Sequence, residues 1–271
     1  MIIKKHYRFL SNIIKYIFTK IFNKIFLFKN IKIIPSLDEL DLTKIEYSKK
    51  TRRFLFKNQS NKIGKIILDT SLTDTELCLL GKKYQTNKSS FNLDGHRSGY
   101  TAFYSLIFSA LREKKINFAE IGIEKNASTK MWRNYFTRAK LYLFEYDKFK
   151  ILEAKKDKLK KTYYNFINVA SPETITNSFK KTKVKFDIII DDSTHNFNHQ
   201  INIIKKVLSF LKPNGLLVIE DISKKFPEKN YEIALKEISG KFKKIIFVET
   251  YHSNNYTSNY NNAKLLYLIK L

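Results

Sequence analysis

From residue 117 onward, short apolar runs alternate with stretches in which apolar positions recur every three or four residues. Residues 117–123 read as a strand, 128–136 as a helix, 140–145 as a second strand and 149–160 as a lysine-rich helix. Residues 163–169 make a third strand, and Ser171-Pro172 supplies a cap and first-turn pair for the helix after it. The fourth strand is 186–190, and the following helix buries Phe197, Ile201, Ile204, Leu208 and Leu211 before stopping at Lys212-Pro213-Asn214-Gly215. A fifth strand at 216–219, a helix at 231–238 and strands at 245–250 and 264–270 complete the pattern. Strands alternating with helices of this length predict an α/β fold with a doubly wound, mostly parallel sheet, here of seven strands. The last two strands are joined by a polar loop without a helix, 252–262, which predicts an antiparallel pair at the sheet edge.

The amino-terminal part reads differently. Between residues 12 and 26 the apolar positions are 13, 14, 17, 18, 21, 22, 25 and 26, and lysines recur on the opposite face. This is an amphipathic helix, and its lysines interrupt any run long enough to span a bilayer. Such a helix suits the interface of an anionic membrane, the body of its own protein or a second copy. Residues 54–68 suggest a hairpin, and Thr73 and Glu76 a capping box that opens a helix ending before Gly81. The division expected is an accessory segment, 1–70, with a helical extension, and a catalytic domain, 71–271.

Charged residues at strand ends bring in chemistry. Strand 186–190 ends in Asp191 and Asp192, with His195 three positions later, and strand 216–219 ends in Glu220 and Asp221. Ligands of such sheets bind beyond the carboxyl ends of the strands. If these two strands are neighbours, four carboxylates and an imidazole share one crevice. Three close carboxylates repel unless a cation or a lysine neutralises them. Asp192, Glu220 and Asp221 suit a hard divalent ion such as Mg²⁺. Asp191 either faces a cofactor or caps the following helix.

Composition narrows the partners. The formal charge of +26 invites a nucleic-acid reading, yet only seven of the 51 basic residues are arginine, the residue preferred for phosphate and base contacts. Solvated surface lysine is the expectation, and nucleic acid is not the expected partner. Cys78 is the only cysteine, which excludes an internal disulfide and favours a reducing, cytoplasmic setting, with peripheral contact at the inner face of a membrane through residues 1–34 or association into a homo-oligomer.

Four ordered blocks carry a resemblance. They are LGKKYQTNKSS with His96-x-x-x-Tyr100-Thr101-x-x-Tyr104; AEIGIEKNASTKMWRNYFTRAKLYLFEYD; IIIDDSTH; and NGLLVIEDI. Together they resemble the class I S-adenosylmethionine-dependent methyltransferases, and among these the metal-dependent sugar O-methyltransferases of macrolide biosynthesis. The resemblance implies a Rossmann-like fold and two cofactors, S-adenosylmethionine and Mg²⁺. It implies that Glu120, Gly122 and Ser128 belong to the cofactor loop, that Glu145 holds the ribose and that Asn168 stands at the adenine. It puts His96 and Tyr100 in a lid over the methionine end and assigns the metal to Asp192, Glu220 and Asp221. His195 becomes the general base that takes the proton of a sugar hydroxyl on a glycan or glycosylated small molecule. The chain departs from the family in the first loop, where Glu124-Lys125-Asn126-Ala127 replaces glycines. A non-catalytic binding protein on the same fold is the competing expectation, and an RNA-modifying protein the weaker one.

Overall fold

The sheet has eight strands in the order β1-β7-β8-β6-β5-β2-β3-β4. In the computed structural model, residues 63–70, 73–91, 97–251 and 262–271 are described. The strands are β1 (Ile63–Asp69), β2 (Asn117–Ile121), β3 (Lys140–Glu145), β4 (Thr162–Phe166), β5 (Phe186–Asp191), β6 (Leu211–Ile219), β7 (Phe242–Tyr251) and β8 (Lys264–Lys270). The helices are α1 (Glu76–Lys83), α2 (Tyr100–Phe108), α3 (Ala127–Tyr135), α4 (Lys148–Lys156), α5 (Pro172–Lys181), α6 (Phe197–Val207) and α7 (Glu228–Leu235). All strand pairs are parallel except those made by β8, which runs antiparallel to both β6 and β7.

The mostly parallel, doubly wound sheet matches the expectation, with one strand more than the seven predicted. Residues 63–69 pair in parallel with β7, so the antiparallel strand β8 lies inside the sheet and β1 forms its edge. The chain divides into units 1–58 and 59–271, which puts β1 with the rest of the sheet. The amphipathic stretch 12–26, most of the suggested hairpin and His96 lie outside the described residues.

Both faces of the sheet are covered, and strand residues alternate between them. Ile189, Leu217 and Ile219 pack with Ile175 and Phe179 of α5 and with Ile201 and Ile204 of α6. Ile188, Ile190 and Val218 face the other way, toward Tyr104, Met131 and Trp132 of α2 and α3. Helix caps follow local chemistry. Ser171 Oγ accepts from Thr174 N at 3.3 Å ahead of Pro172, as read from the sequence. The first helix differs from expectation: its cap is Thr75, whose hydroxyl accepts from Cys78 N, and it continues through Gly81 to Lys83.

The strand order reverses between β2 and β5, which creates a crevice at their carboxyl ends. Register then sets the site. Ile121 pairs with Asp191 and Asp191 with Ile219, so Gly122, Asp192 and Glu220 emerge side by side. Asp192 N donates to Ile121 O at 2.8 Å and Glu220 N to Asp191 O at 2.9 Å, which extends the ladder past the strands.

Candidate active site

Strand parity separates the two aspartates. Asp191 is still inside β5, is 1% exposed, and accepts from Ser193 Oγ at 2.6 Å. Burial pushes its carboxyl up to about 7 despite that hydrogen bond. Its charge acts on Tyr231, which packs on the α6 side of the sheet. Asp192 lies one residue further, against groups from the opposite side.

Those groups are led by Lys88, which precedes α2 in the loop after α1. Its ammonium is 2.5 Å from Asp192 Oδ2, 2.5 Å from Glu220 Oε2 and 3.6 Å from Glu120 Oε1, with the side chain 1% exposed. Burial would lower the pKa of Lys88, but the three carboxylates outweigh it and hold the ammonium well above its usual value. Glu220 is pushed well up by burial, against the pull of Lys88, whereas Lys88 and His195 overcome burial at Asp192 and keep its carboxyl low. Lys88 sits in the first block of the resemblance, but lysine is so frequent in this chain that nothing local marked it as buried.

The outer oxygen of Asp192 faces His195. His195 Nε2 lies 3.2 Å from Asp192 Oδ1 and 3.3 Å from Asp221 Oδ2. Burial disfavours the imidazolium, but the neighbouring aspartates prevail and raise its pKa to about 9. Among the described residues, ligand atoms of Asp192, His195 and Asp221 all lie within 4.8 Å of one another, a donor set that fits one divalent cation. His195 (φ +56°) and Asp221 (φ +54°) both adopt left-handed backbone, which costs a non-glycine residue about 1–3 kcal/mol and concentrates at functional sites.

Glu220 joins this cluster as expected, but both of its oxygens are engaged: one by Lys88 and the other by the hydroxyl of Tyr104. Tyr100, expected in a lid over the methionine end, reaches the same cluster. Its hydroxyl donates to Asp221 Oδ1 at 2.8 Å and lies 2.8 Å from Asn262 O.

The remaining predicted residues line the β2 side. Glu120 is fully buried; Ser128 Oγ donates to it at 2.9 Å and Trp132 Nε1 at 3.0 Å. Gly122 has φ +99°, and a Cβ there would stand 2.0 Å from Asp192 O, so glycine is required for the two strand ends to meet. The glycine-poor loop keeps a glycine-like path, with Glu124 at φ +46° and Asn126 at φ +61°. Asn126 anchors it by donating to Asp157 Oδ2 at 2.8 Å and Tyr164 Oη at 3.1 Å, while Lys125 points to solvent. Glu145 ends β3 and accepts from Ile123 N at 3.0 Å, Tyr146 N at 2.8 Å and Asp147 N at 3.0 Å. Asn168 Oδ1 accepts from Ala170 N at 3.1 Å. No helix among the described residues is long and apolar enough to cross a membrane.

The profile of a family described as "Methyltransferase domain" matches residues 126–263. Two proteins of Streptomyces olivaceus are similar in sequence. One is an 8-demethyl-8-alpha-L-rhamnosyl tetracenomycin-C 2'-O-methyltransferase, 25% identical over 130 residues that cover 45% of this chain and 33% of the relative. The other is the corresponding 8-demethyl-8-(2-methoxy-alpha-L-rhamnosyl)-tetracenomycin-C 3'-O-methyltransferase, 26% identical over 138 residues, 45% of this chain and 32% of the relative. The chain thus spans about a third of the length of the curated relatives it matches. Among solved structures, MycE methyltransferase from the mycinamycin biosynthetic pathway, in complex with Mg, SAH and mycinamycin VI, superposes with a TM-score of 0.53 at 18% identity, covering 73% of this chain and 55% of that one. A second structure of the same enzyme, with Mg and SAH, gives a TM-score of 0.54 at 20% identity over the same shares. At these identities the likeness establishes the fold.

Proposed function

We infer that this chain, which belongs to the methyltransferase-domain family, transfers a methyl group from S-adenosylmethionine to a sugar hydroxyl on a glycosylated small molecule or glycan. The observation that carries this reading is His195 held between Asp192 and Asp221 at the mouth of the β2/β5 crevice. The rhamnosyl O-methyltransferases among its relatives support a sugar as acceptor.

Bound S-adenosylmethionine supplies an electrophilic methyl on a sulfonium. Glu145 at the end of β3 would hold the ribose, Asn168 the adenine, and the loop from Gly122 to Ser128 the remainder. Glu120 anchors that loop through Ser128 and Trp132. Asp192 and Asp221 would hold Mg²⁺, which would supply positive charge that acidifies a nearby hydroxyl.

Attack at carbon requires the acceptor oxygen to lose its proton. His195 receives it. Raised to about 9, the imidazole is largely protonated at neutral pH, so only its neutral fraction, which grows toward pH 9, accepts the proton. With Nε2 directed at both aspartates, Nδ1 is the nitrogen without a partner among the described residues, and it takes the proton. Asp192 and Asp221 then stabilise the imidazolium, and Tyr100 keeps Asp221 in place. Calorimetry tests the cofactor assignment: the full chain binds S-adenosylmethionine with micromolar-range affinity, and Asp192→Ala abolishes turnover without unfolding the protein. Absence of binding heat at millimolar ligand overturns the assignment.

A further inference from the structure

The acidic cluster is divided into two halves by one side chain. On the inner half, Lys88 Nζ touches Asp192 Oδ2, Glu220 Oε2 and, more distantly, Glu120 Oε1. On the outer half, Asp192 Oδ1 and Asp221 Oδ2 converge on His195. Asp192 is the shared wall, with one oxygen in each half. Glu220 belongs wholly to the inner half, since Tyr104 takes the oxygen that Lys88 leaves.

We propose that Lys88 is a built-in cation: its ammonium takes the place of a metal ion on the inner half, confines any divalent ion to the outer half, and makes Glu220 a positioning residue rather than a metal ligand. The location of the outer ion rests on the functional reading above; the occupation of the inner half by Lys88 does not. Physically, three carboxylates buried this closely need positive charge among them, and an ammonium 1% exposed with two contacts at 2.5 Å provides it permanently. A divalent ion bridging Asp192 and Glu220 would have to displace that ammonium. The consequence for the reaction is geometric. Because Lys88 fixes Oδ2 of Asp192, the direction in which Oδ1 faces the histidine is also fixed.

The test counts cations. Mn²⁺ binding, followed by paramagnetic resonance of the free ion, is compared in the unaltered chain, Lys88→Met, the charge-balanced Lys88→Met/Glu220→Gln, Glu220→Gln and Asp221→Asn. Lys88→Met is expected to bind one Mn²⁺ more than the unaltered protein, and to gain a larger rise in Tm from Mg²⁺. The double variant is expected to lose that extra ion. Glu220→Gln keeps its Mn²⁺ affinity within about twofold, whereas Asp221→Asn loses tenfold or more. Equal stoichiometry in Lys88→Met and the unaltered protein overturns the proposal, and so does a tenfold loss in Glu220→Gln. If Lys88→Met folds only when Mg²⁺ is present, a metal is replacing the ammonium and the proposal stands. If it folds under neither condition, the Glu220→Gln and Asp221→Asn comparison decides. An unaltered protein that binds no Mn²⁺, beside a Lys88→Met that binds one, refutes the outer metal site while keeping the role of Lys88.

Discussion

At the scale of single residues, the tightest constraint is the meeting of Gly122 with the backbone of Asp192. A methyl group at position 122 would lie 2.0 Å from Asp192 O in a backbone with φ +99°. Gly122→Ala is therefore expected to cost roughly 2–4 kcal/mol in urea unfolding and to lower turnover by moving Asp192; unchanged stability would show that the strand ends have room to part. Asp191, Asp192, His195, Glu220 and Asp221 were legible because charge directly after an apolar strand stands out; that the two strands are neighbours comes from the sheet itself. Lys88 was not legible. A buried lysine and a solvated one have the same local sequence signature, and only the arrival of three acids from β2, β5 and β6 distinguishes this one. Tyr100, expected in a lid over the methionine end, uses its hydroxyl to hold Asp221.

At the scale of elements, the strands and helices around the crevice were readable, since β3 coincides with the predicted residues 140–145 and β5 with 186–190 plus Asp191. The loop between β2 and α3 was harder. Loss of its glycines suggested loss of its shape, but Asn126 tolerates left-handed backbone and is held there by Asp157 and Tyr164 from α4's end and β4. Long-range hydrogen bonds thus replace the local freedom that glycine would have supplied. The capping of α1 by Thr75 rather than Thr73 has a similar cause: both are threonines, and tertiary contacts decide, here through Ser105 of α2, 2.5 Å from Thr75 Oγ1.

At the scale of the whole molecule, both faces of the sheet are closed by helices, and tyrosines take part in that closure. Residues 63–68 fall in the suggested hairpin, but their place in the main sheet was not legible, because a parallel edge strand far from its partner leaves no local pairing signal; β1 meets β7 across more than half the chain. Burial holds the Tyr267 hydroxyl at about 12 and raises that of Tyr231 as well. A folded-state pKa above the unfolded value of about 10 gives stability that is intact below pH 10 and is lost as pH rises through the folded value. For Tyr267 the loss is about 1.4 kcal/mol at pH 11. Tyr267→Phe is accordingly expected to match the unaltered protein in urea unfolding at pH 7 and to lose less stability between pH 10 and 12; parallel losses in both would contradict the shift.

The whole arrangement delivers one imidazole, braced by two aspartates, to the end of the β2/β5 crevice, and the account stands on that imidazole being the base. The direct measurement is labelled-methyl transfer from S-adenosylmethionine to a panel of glycosylated small molecules by the unaltered chain and by His195→Asn, a replacement that tolerates the φ of +56° at this position. The account predicts transfer by the unaltered chain and a fall in kcat of about 10²–10⁴ in the variant, with cofactor affinity retained. Equal rates in the two proteins, or cofactor binding with no transfer to any sugar hydroxyl, would contradict it.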